Sequence, residues 1–197
     1  MHRRRVDITP TITILGCTLW SHISDAEALS CATLLTDFDE EKGIRERTVH
    51  EHNADHLLDL AFLNAQVTAI SSQDPEREIV ILSHHSPTID ARANDPRHAR
   101  NSTNSGFRTD LSGEVCWRSE RVKMWGFGHT HYNCQFYDEG DGDEEGEKRR
   151  KMVIANQKGY AMPGGKGKGR VEVVVVEAAK EGDWRVIVGA KESKEKT

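Results

Sequence analysis

Several things are scarce in this 197-residue chain, and each scarcity removes a class of function. Its four cysteines, Cys17, Cys31, Cys116 and Cys134, are scattered, with no C-x-x-C pair. That excludes a cysteine zinc knuckle and a disulfide framework, and it reads as reduced, buried thiols in an intracellular, cytoplasmic protein. Long apolar runs are missing. The longest, residues 171–176, is strand-sized, so no membrane span is expected. The basic start, Met1 to Arg5, is followed by no apolar stretch with a cleavage site, which argues against a secretory leader. Basic charge is not in excess: the net charge is −5, and no nucleic-acid footprint results. The glycine-rich 164–169 lacks the spacing of a phosphate-cradling loop, and the acidic 138–147 lacks that of a calcium loop. What is left, 36% hydrophobic and 30% charged, is a polar globular chain long enough for one core.

The pattern alternates strand-like and helix-like segments. Residues 11–20 are β-branched and apolar, and read as a strand. Ser24 with Glu27 three residues on reads as a capped helix to about residue 36. Residues 48–70 read as a longer helix, with Ala54, Leu57, Leu58, Ala61 and Ala65 as its buried face, widened by Phe62 and Leu63. Residues 78–82 and 122–127 read as buried strands, with a helix expected over 110–121. Strands at 134–137 and 152–155 should flank a solvated, mobile acidic insertion, 138–150. Residues 171–176 and 184–188 close a single domain over 1–190, and 191–197 form a charged tail.

The histidines carry the chemistry. His84-His85 closes one predicted strand and His129-x-His131 closes another, and α/β folds gather functional groups at the carboxyl ends of adjacent strands. Neutral imidazole is the commonest metal-binding side chain. In an extended chain His129 and His131 would share a face, and Gly126 and Gly128 would let backbone approach an ion. A second pair, His52 and His56, has helical spacing, but Asn53 stands where the glutamate of a zinc protease motif belongs, and a solvated polar helix face is expected. Nothing near Cys116 suggests an activated thiolate. In the polar 101–108, Arg108 is the candidate phosphate contact at a pocket mouth.

Two segments, VILSHHSP at 80–87 and WGFGHTH at 125–131, resemble the last two metal motifs of the calcineurin-like metallophosphoesterase superfamily. Residues 14–20 resemble the strand after its third motif, and residues 155–160 the segment that follows the last motif in fungal-type members. The resemblance runs from about residue 7 to 160. It implies an α/β (α+β) fold, a partial αββα four-layer sandwich of mixed β-sheets flanked by helices. It also implies hydrolysis of phosphoric esters by two divalent metal ions of the Mn, Fe, Zn or Ni class. His84 and His129 would bind one metal and His131 the other, while His85 would orient a neighbour or contact substrate, as Arg108 would. A small phosphoester or phosphoprotein is the substrate so implied.

The family's D-x-H, G-D-x-x-D and G-N-H-[DE] motifs do not occur, and the catalytic histidine belongs to them. The chain is therefore expected to be the C-terminal part of the domain, to bind metal weakly or partially, and to be slow or inactive alone. A catalytically inactive scaffold is the alternative. An open sheet edge invites self-association.

Overall fold

A computed structural model describes residues 2–142, 148–157, 174–178 and 184–188. The chain is mixed α/β. Strand β1 (Arg4–Thr9) turns back into β2 (Ile12–Gly16), and the short helix α1 (Ala28–Leu34) and the long helix α2 (Val49–Gln73) follow. Next come β3 (Glu78–Leu82), the single turn α3 (Val115–Arg118), β4 (Val122–Phe127), the hairpin β5 (Cys134–Gly142) and β6 (Lys148–Ala155), and the hairpin β7 (Val174–Ala178) and β8 (Trp184–Val188). The first six strands make one mixed sheet in the order β1-β2-β3-β4-β6-β5; β7 and β8 make a two-stranded one. Strands β2, β3, β4 and β6 are parallel, and the outer two run antiparallel. Gly16, Leu82, Gly126 and Ile154 stand in register, so the four parallel strands end side by side.

One face of the sheet packs on α2 and α3 through Leu15, Ile79, Ile81, Trp125 and Val153 against Leu63, Val67, Ile70 and Trp117. The other carries Val80, Met124, Met152 and Ile154. Alternate residues of each strand supply the two faces, as a pleat covered on both sides requires. Gly126 belongs to the second face. A Cβ there would come within 2.9 Å of Leu82 Cδ2, so its missing side chain makes room for packing rather than for an ion.

Several expectations need correction. Strand β1 lies in a basic, polar stretch, and all six of its residues are exposed. Ladder bonds to β2 hold it, together with Asp7, which accepts from Thr13 Oγ1 at 2.6 Å. The helix after Ser24 starts only at Ala28, because Glu27 caps nothing and instead accepts from Ser105 N and Oγ, both at 2.7 Å. The expected 110–121 helix shrinks to α3, whose single turn Asn64 of α2 holds at both Cys116 N and Glu114. The acidic insertion is largely strand. Asp138 and Glu139 of β5 stand opposite Lys151 and Arg150 of β6, so opposite charges pair across the ladder. Lys151 is fully buried, its ammonium 3.6 Å from the Trp117 ring centroid and 3.8 Å from Asp138. Residues 143–147, the 164–169 turn and the 191–197 tail lie outside the described residues.

The largest correction concerns α2. The helix starts where the sequence placed it, and the structure adds a reciprocal capping box of Thr48 and Glu51 that sequence reading missed. Its buried face is not the expected one. Ala54, Leu57, Leu58, Ala61 and Ala65 are exposed, and the face turned inward is His52, His56, Asp59, Leu63, Val67 and Ile70. Polar groups won because each has a partner. Asp59 takes Arg3 Nε and Leu19 N, both at 2.8 Å, and His56 Nδ1 meets Trp20 O. His52 Nε2 lies 3.4 Å from Ser21 Oγ, and Asn53 binds both backbone groups of Ile23. One helix face thus clamps the 19–23 loop. Burying a polar group costs little once it is hydrogen-bonded, so the apolar periodicity could be overruled.

Candidate metal centre

Everything that emerges from the carboxyl ends of the parallel strands meets at one place. Thr18, just after β2, accepts the backbone N–H groups of His84 and His85 at 3.0 and 3.2 Å. His84 O accepts Gly128 N at 2.9 Å, which ties the β3 end to the β4 end. Gln157, just past β6, accepts His131 N at 2.9 Å and donates to Thr130 Oγ1 and Tyr132 O at 3.1 Å. Trp125 Nε1 donates to Ser83 Oγ, which donates on to His85 O. The loop backbone is therefore fixed from three strands at once.

Three imidazoles converge there. One ring nitrogen from each of His84, His85 and His129 lies within 4.8 Å of the others. His84 Nε2 and His129 Nδ1 are 3.1 Å apart. The rings of His85 and His129 stack at 4.0 Å between centroids, and Phe107 stacks on the far side of His129 at 4.8 Å. His84 is exposed, His129 half-buried and His85 only 1% exposed. The Nε2 atoms of His85 and His129 are buried without a hydrogen-bond partner, and His52 Nδ1 is a third such atom.

All three rings are shifted toward the neutral form. Burial pushes His129 down to about 3, and the charges His84 and His131 would carry push the same way. Burial, then the neighbouring His129, His52 and His84, holds His85 well below its ordinary value. His84 is lowered by its partial enclosure, which Asp37 opposes. Neutral rings keep a lone pair, which a cation requires.

His129 and His131 are not extended. Both sit in left-handed backbone, at φ 65° and 51°, where side chains other than glycine are rare. Such conformations cost on the order of 1–3 kcal/mol and persist where the surroundings impose them, commonly at functional sites. His131 is exposed and falls outside the convergent three; His85, expected beside the metal rather than on it, stands within them. A cavity of about 530 Å³ opens next to the cluster, walled by His129, Thr130, His131, Arg108, Phe107 and Leu35 among others. Arg108 reaches it because Ser86 pairs with it as an isolated parallel bridge. His52 and His56 are interior struts rather than a solvated face or a zinc pair.

The thiols contribute nothing here: burial raises Cys17 and Cys116 to about 12 and Cys134 to about 11. Two features escaped sequence reading. Phe107 looked like part of a polar loop, and Asp37, half-buried and the acid that acts on His84, sits in a polar turn without a motif. Among the described residues no helix is long and apolar enough to cross a membrane.

No family model matches this chain. It is similar to an uncharacterised protein of Acanthamoeba polyphaga mimivirus, 24% identical over 160 residues, which cover 76% of this chain and 51% of that protein. The chain thus spans about half the length of the curated relative it matches.

Proposed function

We propose that this chain supplies the histidine part of a metal-dependent phosphoester hydrolase of the calcineurin-like kind. The observation that carries the reading is the convergence of three imidazoles, one of them with a buried and unpartnered Nε2 at His85, beside a cavity lined by an arginine. The donor set fits a cation. Nitrogens bound at about 2.0 Å in a tetrahedron stand about 3.3 Å apart, and His84 and His129 present theirs at 3.1 Å. A divalent metal of the Mn, Fe, Zn or Ni class, held there by His84 and His129, would polarise a phosphoryl oxygen and acidify a water. Arg108 would take the substrate's phosphate oxygens, which a planar guanidinium can bind in pairs. The apolar side chains of Leu34 and Leu35 offer a wall to the esterified group.

A second metal would have His131 as its ligand at the cavity rim. The convergent group contains no carboxylate, and three neutral rings do not offset two dications, so these residues by themselves serve one ion. The four-layer sandwich belongs to the same reading. Helices α2 and α3 cover one sheet face, the opposite face is apolar, and β8 comes against β6. Self-association would run through β1, an exposed edge carrying Val6 and Ile8.

The test is turnover of p-nitrophenyl phosphate and its diester with added Mn²⁺ or Zn²⁺. Slow, metal-stimulated hydrolysis is expected, lost in His84→Ala and His129→Ala, with KM raised in Arg108→Ala. A chain that binds metal yet turns over no member of a phosphoester panel would overturn the reading.

A further inference from the structure

We propose that His85 is itself a metal ligand through Nε2, making His84, His85 and His129 a three-imidazole site for one borderline divalent cation such as zinc, and that Ser21 and His52 position it. The proposal rests on the reading above for the presence of a metal, and not on phosphoester hydrolysis.

His85 is an expensive residue to bury unless something uses it. It is 1% exposed, and its Nε2 has no hydrogen-bond partner. Its other nitrogen is committed: Nδ1 lies 3.2 Å from Ser21 Oγ. The same hydroxyl lies 3.4 Å from His52 Nε2. A hydroxyl has one proton to give, so one ring donates to Ser21 and the other accepts from it. In one arrangement His85 Nδ1–H donates to Ser21, which donates to His52. His85 Nε2 then carries a lone pair turned away from Ser21. In the other arrangement His85 Nε2 carries a proton that no acceptor takes, just as His52 Nδ1 does in the first, so hydrogen bonding alone does not choose between them. A cation at Nε2 selects the first. Ligating histidines commonly have their second nitrogen tied in this way, which fixes both tautomer and ring orientation.

The support around the relay is rigid. Trp20 packs on both rings, 5.0 Å from His52 and 5.3 Å from His85. His52 rides on α2, whose neighbouring Asn53 and His56 pin the loop bearing Ser21. The Gly106 carbonyl lies toward both His85 and His129 and opposes the lowering of their pKa values, although it is not in hydrogen-bonding geometry with the orphaned atoms. A shift of that carbonyl would make His85 a purely structural donor, which is the outcome the experiment must separate.

The experiment is zinc titration of the ¹⁵N-labelled full chain, with imidazole nitrogens read by long-range ¹H–¹⁵N correlation and affinity read by chelator competition. The expected result is a His85 Nδ1–H tautomer whose Nε2 resonance moves on saturation at one zinc per chain. His85→Gln should weaken binding at least tenfold. Ser21→Ala should weaken it less and mix the His85 tautomers, and Ser21→Thr should restore both. Zinc that binds while the His85 ring resonances stay fixed, or an Nε2–H tautomer in the zinc-loaded chain, overturns this proposal alone. A wild-type chain that binds no zinc overturns it together with the metal reading. The ring resonances are read in the wild-type chain, so misfolding of a variant does not blunt the test.

Discussion

Two groups of histidines lie back to back in this molecule, and they are spent differently. The inner pair, His52 and His56 on α2, have ring nitrogens against Ser21 Oγ and Trp20 O and serve to anchor a loop. The outer group, His84, His85 and His129, has nitrogens directed at one another and two atoms left without partners. Burial lowers the pKa of the rings in both sets. The difference is convergence: His52 also keeps one unpartnered nitrogen, but only in the outer group do three rings bring nitrogens within 4.8 Å of one another. A strut ties one ring nitrogen to a loop, and a site turns several toward one place. Desolvation alone, read from a shifted pKa, would not have separated the two.

The largest effect should come from breaking the inner anchor. Asp59 is wholly buried and joins Arg3 to the Leu19 amide. Asp59→Ala should cost roughly 3 kcal/mol, as when one member of a buried ion pair is removed. Urea denaturation of the variant checks this, and a loss under about 1 kcal/mol would mean that the anchor is dispensable.

Acid should act next. Burial lowers His52 to about 4 and also lowers His56, while both titrate near 6.5 when unfolded. The unfolded chain therefore binds more protons as pH falls, and the buried His85 and His129 act the same way, so stability is complete above pH 6.5 and drains away as pH falls toward 3. Thermal melts across that range should show the fall, and His52→Gln should make it shallower. An equally steep curve in the variant would assign the loss to other groups.

A smaller effect of opposite sign is expected in the outer group. His129 is held at φ 65°. His129→Gly relieves that backbone and removes an unsatisfied buried nitrogen. The metal-free chain should then keep its stability or gain up to about 1 kcal/mol, with metal binding lost. Destabilisation by more than 1 kcal/mol in the melt would make His129 a strut like His56. The smallest change tests the helix face: Leu57→Glu and Leu58→Glu, at positions 59% and 54% exposed, should shift stability by less than about 0.5 kcal/mol. A large loss would restore the apolar stripe as the buried one.

Local signals were legible where a run of like residues leaves one solution. The buried strands at 78–82 and 122–127, the existence of α2 and the placing of His84 and His129 at strand ends all follow from patterns within a few residues. Strand β1 was not legible, since it buries nothing and exists through its partner's ladder. The inward face of α2 was not legible either. Hydrophobic periodicity assumes that polar residues cost more to bury, and here each polar residue met a partner from loop 19–23 or from Arg3.

The sequence by itself determined which residue types stand at the ends of the parallel strands, because strand-forming runs and the histidines after them are contiguous in the chain. Which imidazoles converge was decided by tertiary structure alone. The left-handed turns at His129 and His131 break the extended geometry that spacing presumes, and they leave His131 outside the convergent group. The Thr18 carbonyl, brought from another strand, fixes the loop that carries His85 into it. A side chain's direction depends on backbone dihedrals and on contacts distant in sequence, and neither is written in the spacing of a motif.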